Sequence, residues 1–330
     1  MQNTSSLEFN QRTISVQPRF CAIVGPTASG KTALAIALAE YLDSEILCVD
    51  AIQVYRGLNI GSAKPDIEER NGIVHHGLDL VSPLEQFSAA RFECYAEKKI
   101  IEAIDNNKIL VLCGGTGLYY RALLEGFFEA PDPEPELRAE LYRRAEHEGL
   151  EALYAELEAS DAETAQKIHP NDARRIIRAM EIMKQTGVSV TELRRSQKRK
   201  PWFDQTVFIG IQREREDLVD RINRRTNWMY ENGLVEETRW LLEIGCGSQN
   251  TAMQALGYKE CYEYLLGRYS LSESIELTAR ETSRYARRQM TWFRRQCPTK
   301  WINANNAIDL RQIVEESLQL WRNSDNNILL

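Results

Sequence analysis

The chain has 330 residues, a formal net charge of -7, seven cysteines and four histidines. Its length supports one large or two moderate domains, and its negative balance excludes a wholly basic nucleic-acid coat while leaving room for a local basic patch. An odd cysteine count with no close C-x-x-C pair argues against a disulfide framework or a zinc ribbon, and four histidines are a poor supply for a histidine metal site.

Residues 1–19 are polar, lack an apolar signal core and are expected to form a flexible leader. No run reaches membrane-spanning length, so a cytoplasmic protein with no membrane contact is expected. Phe20 to Val24 is a short apolar run that meets Gly25, Pro26, Thr27, Ala28, Ser29, Gly30, Lys31 and Thr32, which complete a G-x-x-x-x-G-K-[ST] phosphate loop. ALAIALAEYL behind it reads as a helix. Unpaired amides at such a helix start attract phosphate oxygens, with Lys31 reaching the outer phosphates and the Thr32 hydroxyl available to Mg2+.

Glu45 to Val49 is a second short apolar segment, ending at Asp50. Residues 51–80 read mostly as loop and hold Gln53, Lys64 and the pair His75–His76, for which a loop contact is expected rather than a metal site. Ser88 to Asn106 has helical spacing, and Lys108 to Cys113 is a third buried strand, followed at once by Gly114, Gly115 and Thr116. Loops with polar residues after each strand describe an α/β fold: a P-loop NTPase-like parallel sheet flanked by helices. Cys21, Cys48 and Cys113 sit inside the apolar runs and are expected to be buried.

Three prolines in APDPEPE mark a boundary, and a helical insertion domain is expected over 131–200, dividing a core made of 20–130 and 201–330. Asn171 or Asp172 can cap one of its helices and Gly187 can end it. TVFIGI at 206–211 alternates like a further strand, and helices return over 216–243, 271–295 and 310–322. Basic residues gather at 174–200, 213–225 and 280–295. In the last stretch Arg284, Arg287, Arg288 and Arg295 fall on one helical side, with Tyr285, Trp292 and Phe293 interleaved. A solvated face and a phosphate-backbone footprint both fit that pattern. From the residues alone, Asp50 reads as a general base or as a structural or magnesium-binding acid. Thr116 reads as a site hydroxyl or a helix cap, and Gln53 as a base reader or an ordinary exposed amide. Arg221 and Arg225 share a helix face suited to a diphosphate.

Six pieces then resemble the tRNA dimethylallyltransferases: GPTASGKTALA at 25–35, DAIQVYRGLNIGSAKP at 50–65, GGTGLYYRALLEG at 114–126, HPND with its arginines at 169–178, GYKE at 257–260 and RQMTWFR at 288–294. The resemblance spans about residues 20–302. It implies transfer of a dimethylallyl group from dimethylallyl diphosphate to N6 of adenine 37 in tRNAs reading codons that begin with U. It further implies Asp50 as the base, with Thr116 and Arg225 (Arg221 as fallback) holding the diphosphate and its bridging oxygen. The phosphate loop then becomes a diphosphate site carrying Mg2+ through Thr32, and Gln53 reads the extruded adenine. Thr27 and Lys64 are further implied as substrate contacts. Arg175 in the insertion, with Arg284 and Arg288, is implied to contact the tRNA anticodon stem-loop. A monomer of bacterial type is expected. Ala51 and Ser62 stand where the family has serine and threonine. The alternatives are a small-molecule P-loop kinase, an adenylate isopentenyltransferase and a non-catalytic RNA-binding protein.

Overall fold

The computed structural model describes residues 19–126, 128, 131–132, 134–195, 197, 199–304 and 309–324, so the expected leader lies outside the described residues up to residue 18. The chain divides into two compact units, one running to Tyr119 and resuming at Pro201, the other spanning Tyr120–Lys200.

The first unit is built on a sheet of six parallel strands: β1 (Phe20–Val24), β2 (Glu45–Val49), β3 (His75–His76), β4 (Leu110–Gly114), β5 (Thr206–Gln212) and β6 (Lys300–Asn303), in the order β3-β2-β4-β1-β5-β6. Parallel strands need crossovers, and these helices cover both faces. One face buries Cys21, Ile23, Ile46, Val111, Ile209 and Ile211 with α1 (Lys31–Tyr41) and α13 (Leu310–Arg322). Phe20, Ala22, Val24, Leu47, Leu112 and Phe208, pointing the other way, are buried as well. This corrects the alternating reading of TVFIGI: all six residues are buried, because a parallel strand with both faces covered reads as a continuous apolar run. His75 and His76 are also corrected, from loop to a two-residue strand beside β2. The His76 Nε2 pairs with Glu45 Oε2 at 2.6 Å, and His75 Nδ1 donates to the Ile73 carbonyl at 2.9 Å.

The crossover helix α2 (Ala89–Asp105) starts where Ser88 accepts from the Arg91 amide. Past β5 come α9 (Arg215–Glu231), α10 (Leu234–Glu243), α11 (Tyr258–Leu265) and α12 (Leu271–Gln296). Ser270 and Glu273 form a capping box at the start of α12. The helix α3 (Gly117–Glu125) carries the chain out of the first unit.

The second unit is helical: α4 (Pro135–His147), α5 (Leu150–Ser160), α6 (Ala162–Gln166), α7 (Ala173–Thr186) and α8 (Val190–Arg195). Its core gathers Leu141, Leu153, Leu157, Ile176, Ile177 and Met180. Asp172 caps α7 and Gly187 ends it in the left-handed region at φ 69°. Glu181 is fully buried there, which is tolerable because Arg138 and Arg178 bind its carboxylate at 2.7 and 2.8 Å. No helix among the described residues is long and apolar enough to cross a membrane.

Candidate active site

The phosphate loop after β1, the carboxyl ends of β2 and β4 and the helix α9 line one cleft of 1110 Å³ in the first unit, the place where an open parallel sheet presents its loops. The phosphate loop forms its floor. Gly25, at φ 141°, must be glycine, since a Cβ there would stand 2.6 Å from the Ile211 carbonyl oxygen. Gly30 then turns the chain into α1, whose first amides have no carbonyl in a preceding turn.

The carbonyls of this loop are claimed by side chains from far along the chain. Arg213 Nε donates to Ser29 O at 2.8 Å while its Nη1 binds Asp217 at 2.8 Å, and Arg221 Nε donates to Ala28 O at 2.8 Å. Lys31 Nζ donates to Pro26 O at 2.7 Å. Burial pushes the Lys31 ammonium down to about 8, with Arg225 acting in the same direction and Cys113 and Asp50 against it. A bound anion would hold its proton in place. Thr32 is exposed at the first turn of α1 and lines the cleft.

Asp50 follows β2. Its Oδ1 accepts from the Ile52 amide at 2.9 Å and the Gln53 amide at 3.3 Å, so the turn holds one oxygen and leaves Oδ2 without a hydrogen-bond partner among the described residues. Thr116 Oγ1 accepts from the Ala51 amide at 3.1 Å and fastens the loop after β4 to the residue beyond Asp50. Its hydroxyl also meets the Tyr285 phenol, and the cleft lining includes Tyr285, Gly114 and Gly115 rather than Thr116. Arg225 reaches the cleft from α9 with no ion-pair partner among the described residues. Burial lowers its pKa, while Asp50 and Glu69 raise it. A guanidinium stays charged under such a shift, so the cleft holds a cation beside the phosphate loop with no carboxylate at ion-pair distance among the described residues.

Gln53 lines the cleft, but its Nε2 donates to Ser62 O and Ala63 O at 3.3 and 3.2 Å, a loop-holding contact. Lys64 is buried, and its Nζ donates to Asp79 at 2.7 Å and to the Tyr55 carbonyl at 2.9 Å. Arg284 pairs with Glu281 at 2.6 Å and lines a separate groove between α9 and α12. Arg288 lies over the Tyr285 ring, 5.7 Å from its centroid. Neither lines the Asp50 cleft. Arg175 belongs to the second unit, mostly exposed and 3.3 Å from Asp172.

Gln289 escaped the sequence reading. Its Oε1 accepts from the Thr27 amide at 2.8 Å and its Nε2 donates to Gly115 O at 2.9 Å, clamping the phosphate loop to the loop after β4. Glutamine inside RQMTWFR, among arginines, was the available signal. Gln289→Leu leaves a buried donor and acceptor unpaired, which costs about 1–3 kcal/mol for each orphaned group. A lower urea midpoint is the expected result, and a midpoint equal to the parent's would refute the clamp.

A tRNA dimethylallyltransferase of Acetivibrio thermocellus is 44% identical over 294 residues, covering 89% of this chain and 94% of its own. The chain belongs to the tRNA dimethylallyltransferase family. The IPP transferase family profile matches residues 53–296 of the chain. Among solved structures, the tRNA isopentenylpyrophosphate transferase of Bacillus halodurans is 37% identical with a TM-score of 0.67, covering 94% of this chain and 98% of its own. A eukaryotic dimethylallyltransferase, described as acting on tRNA, superposes with a TM-score of 0.79 at 27% identity, over 92% of this chain and 79% of its own.

Among the described residues of this family member, no three His, Cys, Asp or Glu side chains gather as a metal cage. A phosphate-borne Mg2+ needs no such cage, since one or two protein oxygens and the phosphates suffice. The Thr32 hydroxyl at the start of α1 meets that requirement.

Proposed function

We propose that this enzyme transfers the dimethylallyl group of dimethylallyl diphosphate to N6 of adenine 37 in tRNAs reading codons that begin with U. The observation that carries the reading is the juxtaposition, in one cleft, of the Asp50 carboxylate, the unpaired Arg225 guanidinium and the phosphate loop. The phosphate loop and Arg225 take the diphosphate. The adenine amine attacks the allylic carbon as its bond to the bridging oxygen breaks, and Asp50 Oδ2 receives the N6 proton. Negative charge grows on the departing diphosphate, where Arg225, Lys31 and the amides at the start of α1 stabilise it. Thr116, held by the Ala51 amide, would turn its hydroxyl from Tyr285 to the leaving-group oxygen when the diphosphate binds. When bound through Thr32, Mg2+ adds positive charge to the leaving group.

An adenine must leave the anticodon-loop stack to enter such a cleft, and unstacked bases are the usual targets of RNA readout. The helical unit supports a macromolecular acceptor, since Arg175 on α7 is mostly exposed and a free nucleotide needs no such addition. The test is incubation with unmodified tRNA and isotopically labelled dimethylallyl diphosphate. Label at adenine 37 is expected. Label on free adenine nucleotide, or none on RNA, would reject the assignment.

A further inference from the structure

Part of the cleft lining is a surface loop that includes Asn59, Ile60, Ser62 and Ala63. Successive amides of this loop point the same way, a concave arrangement that binds anions. Here the anion is internal. Glu237 Oε1 accepts from the Asn59 and Ile60 amides at 2.9 and 2.8 Å. Its Oε2 accepts from the Gly61 amide at 3.2 Å and from the Tyr258 hydroxyl at 2.7 Å. One carboxylate thus closes a three-amide nest, and Tyr258, from GYKE, fixes the carboxylate in turn. Gly61 permits the approach: a Cβ there would lie 2.5 Å from the Tyr258 ring and 2.8 Å from Leu234.

The loop passes this constraint on toward the reacting groups. Its next two carbonyls, of Ser62 and Ala63, hold the Gln53 side-chain amide, and the Gln53 backbone amide shares Asp50 Oδ1. None of these bonds touches the phosphate loop. The loop itself is half-buried to exposed from Asn59 to Ala63, so its shape serves the cleft rather than the core.

We propose that Glu237 is a positioning residue for the acceptor: an internal anion that sets the 59–63 loop, and Gln53 through it, in the shape that receives the tRNA base. The proposal rests on the transfer reaction proposed above. The test measures KM for tRNA and for dimethylallyl diphosphate separately in Glu237→Ala and Glu237→Gln, with thermal unfolding alongside. Glu237→Ala is expected to raise the tRNA KM about tenfold while the donor KM stays within about twofold. Glu237→Gln should fall between it and the parent, because one oxygen still accepts from Asn59 and Ile60 while an NH2 group opposes the Gly61 amide. A merely structural residue would reduce the active fraction, lowering kcat with both KM values unmoved. That result, an unchanged tRNA KM, or equal rises in both KM values would overturn the proposal. If Glu237→Ala does not fold, Glu237→Gln and Tyr258→Phe decide it by the same criteria. A parent enzyme that transfers no label to tRNA would instead defeat the transfer reading.

Discussion

Asp50→Asn is expected to lower the single-turnover rate of transfer by about 10²–10⁴-fold, the contribution of a positioned general base, while tRNA binding is retained. The substitution is a clean one for this geometry. The asparagine oxygen can accept from the Ile52 and Gln53 amides as Asp50 Oδ1 does, so the turn after β2 keeps its bonds. What disappears is the negative charge and the proton-accepting Oδ2. Asp50 also stands close enough to Lys31 and Arg225 to raise the pKa of both. Its neutralisation therefore leaves those cations less compensated, and donor binding is expected to hold or tighten. Rapid-quench measurement at saturating donor and tRNA separates these effects. A chemical rate equal to the parent's would remove Asp50 from the role of base.

The parts of this cleft that sequence could read are those made of neighbours in the chain. The phosphate loop is a strand, a glycine turn and a helix start within residues 20–41, and Asp50 follows an apolar run at a strand's end. Period and composition suffice for both. The supporting groups are of another kind. Gln289 meets Thr27 across 262 positions, Arg213 meets Ser29 across 184, and Glu237 meets Asn59 across 178. No local pattern marks such a pair, because the contact exists only after the parallel sheet has brought its loops to one edge. Lys64 and Gln53 show a limit of another kind. Their residue types suit a substrate, yet each spends its donors on the loop that carries it. The two arginines of α9 show the limit of periodicity. Spacing puts Arg221 and Arg225 on one face, but only the fold shows that the Nε of Arg221 already serves the Ala28 carbonyl.

That difference determines what alanine should do at each position. Arg225→Ala is expected to lower the single-turnover rate by about 10²–10³-fold, the loss typical when one preorganised donor to a developing charge is removed. Arg225 carries a charge that burial disfavours and no carboxylate neutralises at ion-pair distance among the described residues. A desolvated, unpaired cation costs folding free energy in the empty enzyme, so its removal should leave the unliganded protein at least as stable. Added inorganic diphosphate should then raise the melting temperature less in Arg225→Ala than in the parent, because the bound anion no longer offsets that cost. Lysine should not restore the rate, since a single ammonium cannot present the planar fork that spans two phosphate oxygens. Arg221→Ala should act differently, freeing the Ala28 carbonyl and loosening the phosphate loop, with a larger effect on donor KM than on the chemical step. A single-turnover rate in Arg225→Ala equal to the parent's would take Arg225 out of the leaving-group site. The unpaired guanidinium would then mark a contact to the acceptor's own phosphates, which a loss of tRNA affinity in the same variant would reveal.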